Sequence, residues 1–224
     1  MRERDAACVV IPALDAATTI GEVVRGARAH VEVVIVVDDG SRDDTATLAR
    51  AAGALVEIHE KNRGKGAALR TGLARAQDLG FACAVTVDAD GQHPPTEIPR
   101  LLGPPDPGAL VLGVRDLARA GAPLANQRSN AFANAFLSMV TLRRLGDTQC
   151  GMRRYPVART LALGVKDDRF GFETEVILRA LRAGMPLAQV PIAVRYPLDR
   201  TTHFDARRDP WRIVARVLRT LAGG

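Results

Sequence analysis

Short apolar runs rich in valine and isoleucine alternate with segments of helical periodicity through the first half of the chain. Alternation at this spacing is typical of βαβ units, and it predicts an α/β fold with a mostly parallel sheet flanked by helices. Crossovers of this kind are right-handed, and ligands bind beyond the carboxyl ends of the strands. The predicted strands are Cys8–Pro12, Val31–Val37, Ala54–His59, Phe81–Val87 and Ala109–Gly113, and the predicted helices are Thr18–His30, Thr45–Ala52, Gly66–Leu79 and Pro95–Leu102.

The second half of the chain is less regular. Its patterns predict long helices over Asn126–Leu145 and Glu173–Ala183, and a strand over Leu187–Tyr196 in which Pro191 indicates an edge or a bulge. The turn-rich stretch Gly103–Gly108 is short, which favours a loop within one domain over a linker between two. The length of 224 residues also fits a single domain.

Composition narrows the classes of function. The net charge of +6 favours phosphate-bearing partners, but the basic residues are dispersed and aromatic residues make up only 4%, so nucleic-acid binding is not expected. No apolar run approaches the roughly 20 residues that cross a bilayer, and the charged N-terminus lacks the core of a signal peptide. Three widely spaced cysteines, Cys8, Cys83 and Cys150, are expected to be reduced thiols of a cytoplasmic protein.

The strongest local signal is a pair of acids that follows the fourth predicted strand. Asp88 and Asp90 are one residue apart, so the alternation of a strand places both side chains on the same side. Two carboxylates this close repel each other, and a divalent cation such as Mg²⁺ or Mn²⁺ would relieve the repulsion. Gln92 continues the alternation and offers a third oxygen. The alternative is a turn that merely uses aspartate and glycine.

Acids also follow the first and second predicted strands. Asp39 lies in VVDDGS, and Asp15 follows the proline that ends the first strand. An acid at a strand end can accept hydrogen bonds from a ribose or a base, although an aspartate turn that caps the next helix is the simpler interpretation. Because strands of a parallel sheet share one carboxyl edge, we expect the three acidic clusters to meet there.

These motifs, with NRGKGAALRTG, LGVR, DTQCGMR, FGFETE and VPIAVRY, resemble family 2 glycosyltransferases of the GT-A fold. Within that family the chain is similar to the dolichyl- or polyprenyl-phosphate mannose synthase-like group, and the resemblance covers most of its length. It implies a single Rossmann-like GT-A catalytic domain over residues 1–224. Residues 1–115 would bind the nucleotide sugar, residues 116–205 would face the acceptor, and residues 206–224 would form a C-terminal amphipathic helix.

The resemblance also implies roles for individual residues. The positions that contact the nucleotide or its diphosphate are Pro12, Leu14, Asp15, Val37, Asp39, Asp88, Ala89 and Asp90. The metal ligands implied are Asp90 and Gln92, with Asp88 beside them and His203 from the late basic loop. Arg115 matches an arginine that meets phosphate, Arg200 lies in the loop that closes over the diphosphate, and Arg128 matches an arginine that binds the acceptor phosphate. Asp90, Arg115 and Arg128 are the expected catalytic set.

The expected reaction is an inverting transfer from GDP-mannose or a UDP-hexose to a polyprenyl phosphate or another lipid. The first loop departs from the family, with Leu14, Asp15 and Ala16 where Tyr, Asn and Glu are common, so the choice of nucleotide stays open. A hydroxyl acceptor would need a base such as Asp147 or Glu175. A non-catalytic nucleotide-sugar-binding protein is a further alternative, and a nucleotidyltransferase lacks its glycine-rich loop here.

Three segments have two interpretations each. Gly64–Gly66 lacks a complete phosphate-loop pattern and is predicted to begin a helix near the nucleotide. Glu173 and Glu175 either favour a helix dipole or bind the acceptor. The C-terminal helix either packs on its own domain or makes peripheral contact with the inner face of the membrane. Its arginine face comprises Arg208, Arg212, Arg216 and Arg219, and its apolar face Ile213, Val214, Val217, Leu218 and Leu221.

Overall fold

The structure is a computed structural model that describes residues 7–169 and 171–195. The predictions for Arg200, His203 and the helix at residues 206–224 lie outside the described residues. The strands are β1 (Ala7–Ala13), β2 (Val34–Asp38), β3 (Leu55–Ile58), β4 (Cys83–Thr86), β5 (Leu110–Arg115), β6 (Arg153–Pro156) and β7 (Leu187–Ile192). The helices are α1 (Ile20–Arg28), α2 (Thr45–Ala51), α3 (Lys65–Asp78), α4 (Ile98–Leu102), α5 (Leu124–Thr141), α6 (Val157–Ala162) and α7 (Phe172–Arg182).

The seven strands form one sheet in the order β3-β2-β1-β4-β6-β5-β7. Only β6 runs antiparallel to its neighbours β4 and β5, so the prediction of a mostly parallel sheet is confirmed. The register aligns Ala13 of β1 with Asp38 of β2, and Val10 with Thr86 of β4. The carboxyl ends of β1, β2 and β4 therefore meet at one edge of the sheet.

Both faces of the sheet are covered, because side chains alternate along β1 and β2. Val10 and Val37 point into the core under α3 and α7, whereas Val9 and Val36 point into the core under α1 and α4. This double burial explains the nearly continuous apolar sequence of the central strands. The structure is thus an α/β sheet sandwiched between two layers of helices.

Helix α3 approaches the sheet closely because Gly72 faces β1. A Cβ atom at Gly72 would lie 2.3 Å from Cγ1 of Val10. Any larger residue would push the helix away from the strand. Since α3 begins at Lys65, this contact also fixes the position of Lys65 at the edge where the three strands end.

The prediction omitted β6 and α6, which follow each other directly. Strand β6 contains Arg153 and Arg154, whose charge is unusual for a central strand, yet they are only 0% and 3% exposed. The guanidinium of Arg153 donates to the carbonyl oxygens of Cys150, Thr148 and Glu173 at 2.7–2.8 Å. Burial of Arg153 is therefore possible because backbone carbonyls satisfy its guanidinium.

The edge position of β7 agrees with the presence of Pro191. Strand β7 pairs only with β5 and ends the sheet, so a residue without an N–H donor is tolerated there. No helix in the part of the chain that the structure describes is long and apolar enough to cross a membrane.

Candidate active site

A cleft of about 750 Å³ opens at the carboxyl ends of β1, β2 and β4. Three groups of residues line it: the loop after β1, the loop that leads into α3, and the acidic segment after β4. The lining residues are Pro12, Ala13, Leu14, Asp15, Ala16, Thr18, Thr19, Asp39, Asn62, Gly64, Lys65, Ala68, Asp88, Ala89, Asp90 and Arg169. The three acidic clusters that the sequence predicts at successive strand ends therefore share one cleft.

The loop after β1 forms one wall of the cleft. Leu14 is 43% exposed there, which leaves an apolar surface suited to the flat face of a base. Asp15 has a φ of 48°, and its Oδ1 accepts a hydrogen bond from the N–H of Arg42 at 2.8 Å. The N–H of Asp15 donates to Oγ of Ser41 at 2.9 Å. These two bonds fix the loop against the segment that follows β2.

Asp39 is 4% exposed and holds the loop before α3 in place. Its Oδ1 lies 2.6 Å from Nδ1 of His59 and accepts from the N–H of Arg63 at 2.9 Å. Its Oδ2 accepts from the N–H of Gly64 at 2.7 Å. Most of the bonding capacity of this carboxylate is thus used to shape the cleft wall, and a nucleotide would meet a fixed group.

Lys65 joins two acids that come from distant parts of the chain. Its Nζ lies 2.7 Å from Oδ1 of Asp88 and 2.8 Å from Oε1 of Glu173. Gly151 makes room for the contact, because a Cβ atom there would lie 2.5 Å from Oδ2 of Asp88 and 2.8 Å from the Lys65 Nζ. We call Lys65, Asp88 and Glu173 the ion triad.

The ion triad keeps Asp88 charged. Burial alone would raise the pKa of Asp88, but the charges of Lys65, His93 and Arg115 outweigh it and lower this pKa to about 2. Burial alone would lower the pKa of Lys65, but Asp88 and Glu173 raise it above its ordinary value. Asp88 is therefore a carboxylate, and Lys65 an ammonium, at any working pH.

His93 and Cys150 lie behind the ion triad. His93 is 2% exposed, with Nδ1 3.7 Å from Oδ2 of Asp88 and Nε2 3.6 Å from Sγ of Cys150. Burial lowers the pKa of His93, although Asp88 opposes the effect, and burial raises the pKa of the Cys150 thiol to about 12. The pair supports Asp88 from behind and does not present a thiolate.

Asp90 lines the cleft as a partly exposed carboxylate, next to Gln92. Oδ1 of Asp90 accepts the N–H of Gln92 at 2.9 Å, so the two residues share one turn. Carboxylate and amide oxygens are the ligand types that Mg²⁺ and Mn²⁺ prefer, so the residues present fit part of a cation site. Across residues 7–169 and 171–195, no three acids, histidines or cysteines are grouped to hold a metal ion. A cation here would complete its shell with oxygens from a bound diphosphate or from water.

Arg115 is held at the end of β5 by a buried acid. Its Nε donates to Oδ2 of Asp147 at 2.7 Å, and its Nη2 donates to Oδ1 at 3.1 Å. Asn130 of α5 also donates to Oδ1 of Asp147, at 2.8 Å. Burial would raise the pKa of Asp147, but the hydrogen bond and the charge of Arg115 lower it. Arg115 is thus a fixed positive charge whose field reaches Asp88.

Four implied site residues in the described ranges do not line the cleft: Val37, Gln92, Arg115 and Arg128. Val37 is 0% exposed and packs in the core beside α3, so its side chain does not line the cleft. Arg128 is exposed on α5, and it makes no hydrogen bond or ion pair with the residues that the structure describes. Asp88 lines the cleft but is engaged by Lys65.

Glu175 has a structural role in this arrangement. Its oxygens accept the N–H groups of Lys166 and Asp167 at 3.3 and 3.0 Å, and Nε of Arg179 at 2.7 Å. The loop fixed in this way packs on Gly64 and Gly66, where Cβ atoms would lie only 2.3 Å from its carbonyl oxygens. Gly64–Gly66 therefore begins α3, as predicted, and its glycines allow a backbone contact.

Sequence reasoning missed the functional contact of Lys65. The motif NRGKG was interpreted as the beginning of a helix, and the first position of that helix was not considered as a partner for acids. An available signal was charge: a lysine between two glycines, in a chain whose acids cluster at strand ends, needs a partner. His93 and Arg153 gave no comparable signal, because a histidine or an arginine in isolation is usually a surface residue.

The sequence model of Glycosyl transferase family 2 matches residues 8–159. An uncharacterised protein of Methanocaldococcus jannaschii is 31% identical over 201 residues, which cover 86% of this chain and 83% of the relative. The UDP-N-acetylglucosamine–dolichyl-phosphate N-acetylglucosaminyltransferase of Methanococcus voltae is 28% identical over 213 residues, which cover 84% of this chain and 85% of the relative.

Among solved structures, the chain is similar to glucosyl-3-phosphoglycerate synthase from Mycobacterium tuberculosis. That crystal structure contains Mn²⁺, UDP and glucosyl-3-phosphoglycerate. The TM-score is 0.77 at 24% identity, with 96% of this chain and 80% of that chain covered. The likeness confirms the predicted fold, and at this identity it is evidence for the fold alone.

Proposed function

This chain belongs to glycosyl transferase family 2, and we propose that it transfers a sugar from a nucleotide diphosphate to a polyprenyl phosphate. The cleft would hold the nucleotide between the loop after β1 and the loop before α3. Asp90 and Gln92 would hold a divalent cation, Mg²⁺ or Mn²⁺. The Methanococcus voltae relative is named for transfer to dolichyl phosphate, which supports this class of acceptor.

The observation that carries the proposal is the engagement of three buried acids on the described part of the acceptor side, Asp147, Glu173 and Glu175. Asp147 accepts two hydrogen bonds from the side chain of Arg115, which lowers its pKa. Glu175 holds a loop and Arg179, and Glu173 is paired with Lys65. A hydroxyl acceptor needs a base to remove its proton, whereas a phosphate acceptor is already an anion. The arrangement therefore favours a phosphate as the nucleophile.

The proposed reaction is a single displacement. An oxygen of the acceptor phosphate attacks the anomeric carbon, and the bond from that carbon to the nucleotide diphosphate breaks, so configuration inverts. No proton is transferred, and the electron pair of the broken bond leaves with the diphosphate. Arg115 would supply fixed positive charge near the leaving group, whereas the exposed Arg128 lies outside the cleft and would only attract the acceptor phosphate to its side of the protein.

A divalent cation bound at Asp90 would act as a Lewis acid for the charge that develops on the diphosphate. The ion triad reduces the negative charge of the cleft wall beside this cation. Lys65 compensates the charge of Asp88, so a cation at Asp90 would bind beside a neutralised carboxylate. Asp88 thereby keeps a fixed orientation from which one oxygen can accept a hydrogen bond from the nucleotide sugar.

The test is a transfer assay with the purified full chain. UDP-glucose, UDP-N-acetylglucosamine and GDP-mannose, each radiolabelled in the sugar, are incubated with a polyprenyl phosphate in detergent, with Mn²⁺ or with a chelator. We expect label in the lipid fraction with one donor, loss of it with the chelator, and a decrease of about 100-fold or more for Asp90→Asn. Asp78→Asn, at the end of α3, serves as the matched control.

Two further acceptors decide between the alternatives. Unphosphorylated polyprenol offers only a hydroxyl nucleophile, and label in its product would favour a hydroxyl acceptor. 3-Phosphoglycerate carries a hydroxyl, a carboxylate and a phosphate, so the atom that bears the sugar in its product would identify the nucleophile. Donor binding in a thermal-shift assay without transfer to any acceptor would identify a non-catalytic binding protein. Full transfer by Asp90→Asn in chelator would refute the proposed role of the cation.

A further inference from the structure

Helix α5 has an outer face that is apolar and exposed. Leu124, Met139 and Leu142 are 68%, 67% and 90% exposed, and they are the three most exposed large apolar side chains among the described residues. Phe132, on the same helix, is 45% exposed, and its ring stacks on that of Phe136 with the ring centroids 6.4 Å apart. Contiguous exposed apolar groups of this kind mark an interaction surface.

Helical spacing places these residues together. Positions 124, 128, 132, 135 and 139 recur at intervals of three or four, so they line one side of α5. The opposite side carries Ala133 and Leu137, which are fully buried, and Asn130, which bonds to Asp147. We call the exposed side, defined by Leu124, Arg128, Phe132, Met139 and Leu142, the outer face of α5.

The chain segment that carries the outer face has basic residues and no acids. Residues 117–146 contain four arginines, Arg119, Arg128, Arg143 and Arg144, and no aspartate or glutamate. Exposed surfaces of globular proteins usually mix both signs. A stretch of this length with basic residues alone attracts an anionic partner.

We propose that the outer face of α5 lies on an anionic lipid bilayer. Apolar side chains would enter the boundary between headgroups and acyl chains, and the arginines would meet lipid phosphates. A second copy of this chain would present the same basic face and be repelled. Charge complementarity thus selects the membrane.

Helix α5 connects the outer face to the candidate active site. Asn130, on the inner side of α5, donates to the carboxylate of Asp147, which holds Arg115. Arg128 lies on the outer face itself. A bilayer beneath α5 would bring phosphate headgroups to the side of the protein that carries Arg128. This delivery of the acceptor rests on the proposed function, whereas the binding to lipid does not.

The first experiment reads the environment of α5 directly. The three native cysteines are at most 9% exposed, so a cysteine introduced as Met139→Cys in the full chain can be labelled selectively with an environment-sensitive fluorophore. Ile58→Cys, 53% exposed on the opposite edge strand β3, is the matched control. Vesicles contain phosphatidylcholine alone or with about 30% phosphatidylglycerol.

We expect a blue shift of the probe at position 139 with the anionic vesicles, and little change at position 58. The shift should weaken as salt is added, because the attraction of the arginines is screened. An unchanged probe at position 139 would overturn the proposal. A blue shift that grows with protein concentration in the absence of vesicles would also overturn it, since a second copy would then cover the helix.

The second experiment measures vesicle binding by sedimentation. The variant Leu124→Ser, Met139→Ser, Leu142→Asn removes three exposed apolar side chains, and asparagine tolerates the φ of 53° at position 142. We expect its partition onto anionic vesicles to fall about tenfold or more, with an unchanged melting temperature. The control Leu55→Ser, Ile58→Ser should bind like the wild type.

Unchanged binding by the triple variant would refute the role of α5, and loss of binding upon removal of residues 210–224 would then assign the contact to the C-terminal segment. Transfer to a water-soluble, short-chain prenyl phosphate should be unaffected by the triple variant. If no donor supports transfer to any acceptor, the proposed function fails, while the vesicle assays still decide whether α5 binds lipid.

Discussion

Replacing Lys65 with methionine would leave two partly buried acids without their shared cation. Asp88 and Glu173 both lie within 2.8 Å of the Lys65 Nζ, and their side chains are 25% and 8% exposed. The decrease in the pKa of Asp88 from 3.8 to about 2 corresponds to roughly 2 kcal/mol in favour of its charged form. Removal of one partner from a buried pair costs about 3–5 kcal/mol. We therefore expect Lys65→Met to lower the free energy of unfolding by about 3 kcal/mol near neutral pH.

The dependence of this loss on pH follows from the sign of the pKa change. In the wild type the pKa of Asp88 is depressed, so its stabilisation is present above the unfolded value of about 3.9 and is lost as the pH falls toward 2. Without Lys65, burial raises the pKa of Asp88 above the unfolded value. Its ionised form then opposes folding at neutral pH, and protonation relieves this as the pH falls. The difference between the two proteins should shrink between about pH 7 and pH 4.5.

Urea denaturation at these two pH values measures the difference. With a slope of about 2 kcal/mol per molar urea, a loss of 3 kcal/mol moves the midpoint by about 1.5 M. Arg75→Met is the matched control on the same helix, because Arg75 pairs with Glu57 where both side chains are about 40% exposed. Such a pair contributes about 0–1 kcal/mol. Equal destabilisation by Lys65→Met at both pH values would refute the electrostatic argument and leave only lost packing.

Three other substitutions test the site. Asp147→Asn weakens the hold on Arg115, and we expect kcat to fall about 10–100-fold with little change in the donor KM, measured from initial rates. Gly151→Ala would place a Cβ atom 2.5 Å from Oδ2 of Asp88, so nucleotide affinity should fall about tenfold in titration calorimetry. Glu175→Gln should lower the melting temperature but keep transfer within about threefold, because its oxygens hold backbone groups; a loss of kcat without a loss of stability would instead indicate a base.

The sequence predicted those elements whose periodicity reports burial directly. Strand β2 (Val34–Asp38) overlaps the predicted strand Val31–Val37 and is buried throughout, because a strand covered on both faces has no polar side. Strand β6 was missed for the opposite reason. Its arginines have the appearance of surface residues, and only the tertiary structure supplies the carbonyl oxygens that let Arg153 reach 0% exposure.

The same distinction applies to the site. The positions of Asp39, Asp88 and Asp90 could be predicted, because a strand end and its alternation determine where the side chains emerge. The partners of these side chains could not be predicted. Asp39 contacts a loop some 25 residues away in the sequence, and Asp88 contacts Lys65 and lies opposite Gly151. A motif predicts where a charged side chain lies, whereas the partner of that side chain depends on chain segments that meet only after folding.

The placement of positive charge would let the acidic edge of this sheet bind the proposed anionic donor. Asp39, Asp88 and Asp90 line one cleft, and alone they would repel a nucleotide diphosphate. Asp39 is compensated by N–H groups and His59, and Asp88 by Lys65, while Arg169 also lines the cleft. Asp90 presents a partly exposed carboxylate in the cleft, on which a divalent cation would bind. Loss of Lys65 should therefore weaken the binding of UDP or GDP even where Mn²⁺ is saturating, because an uncompensated Asp88 would then face the diphosphate.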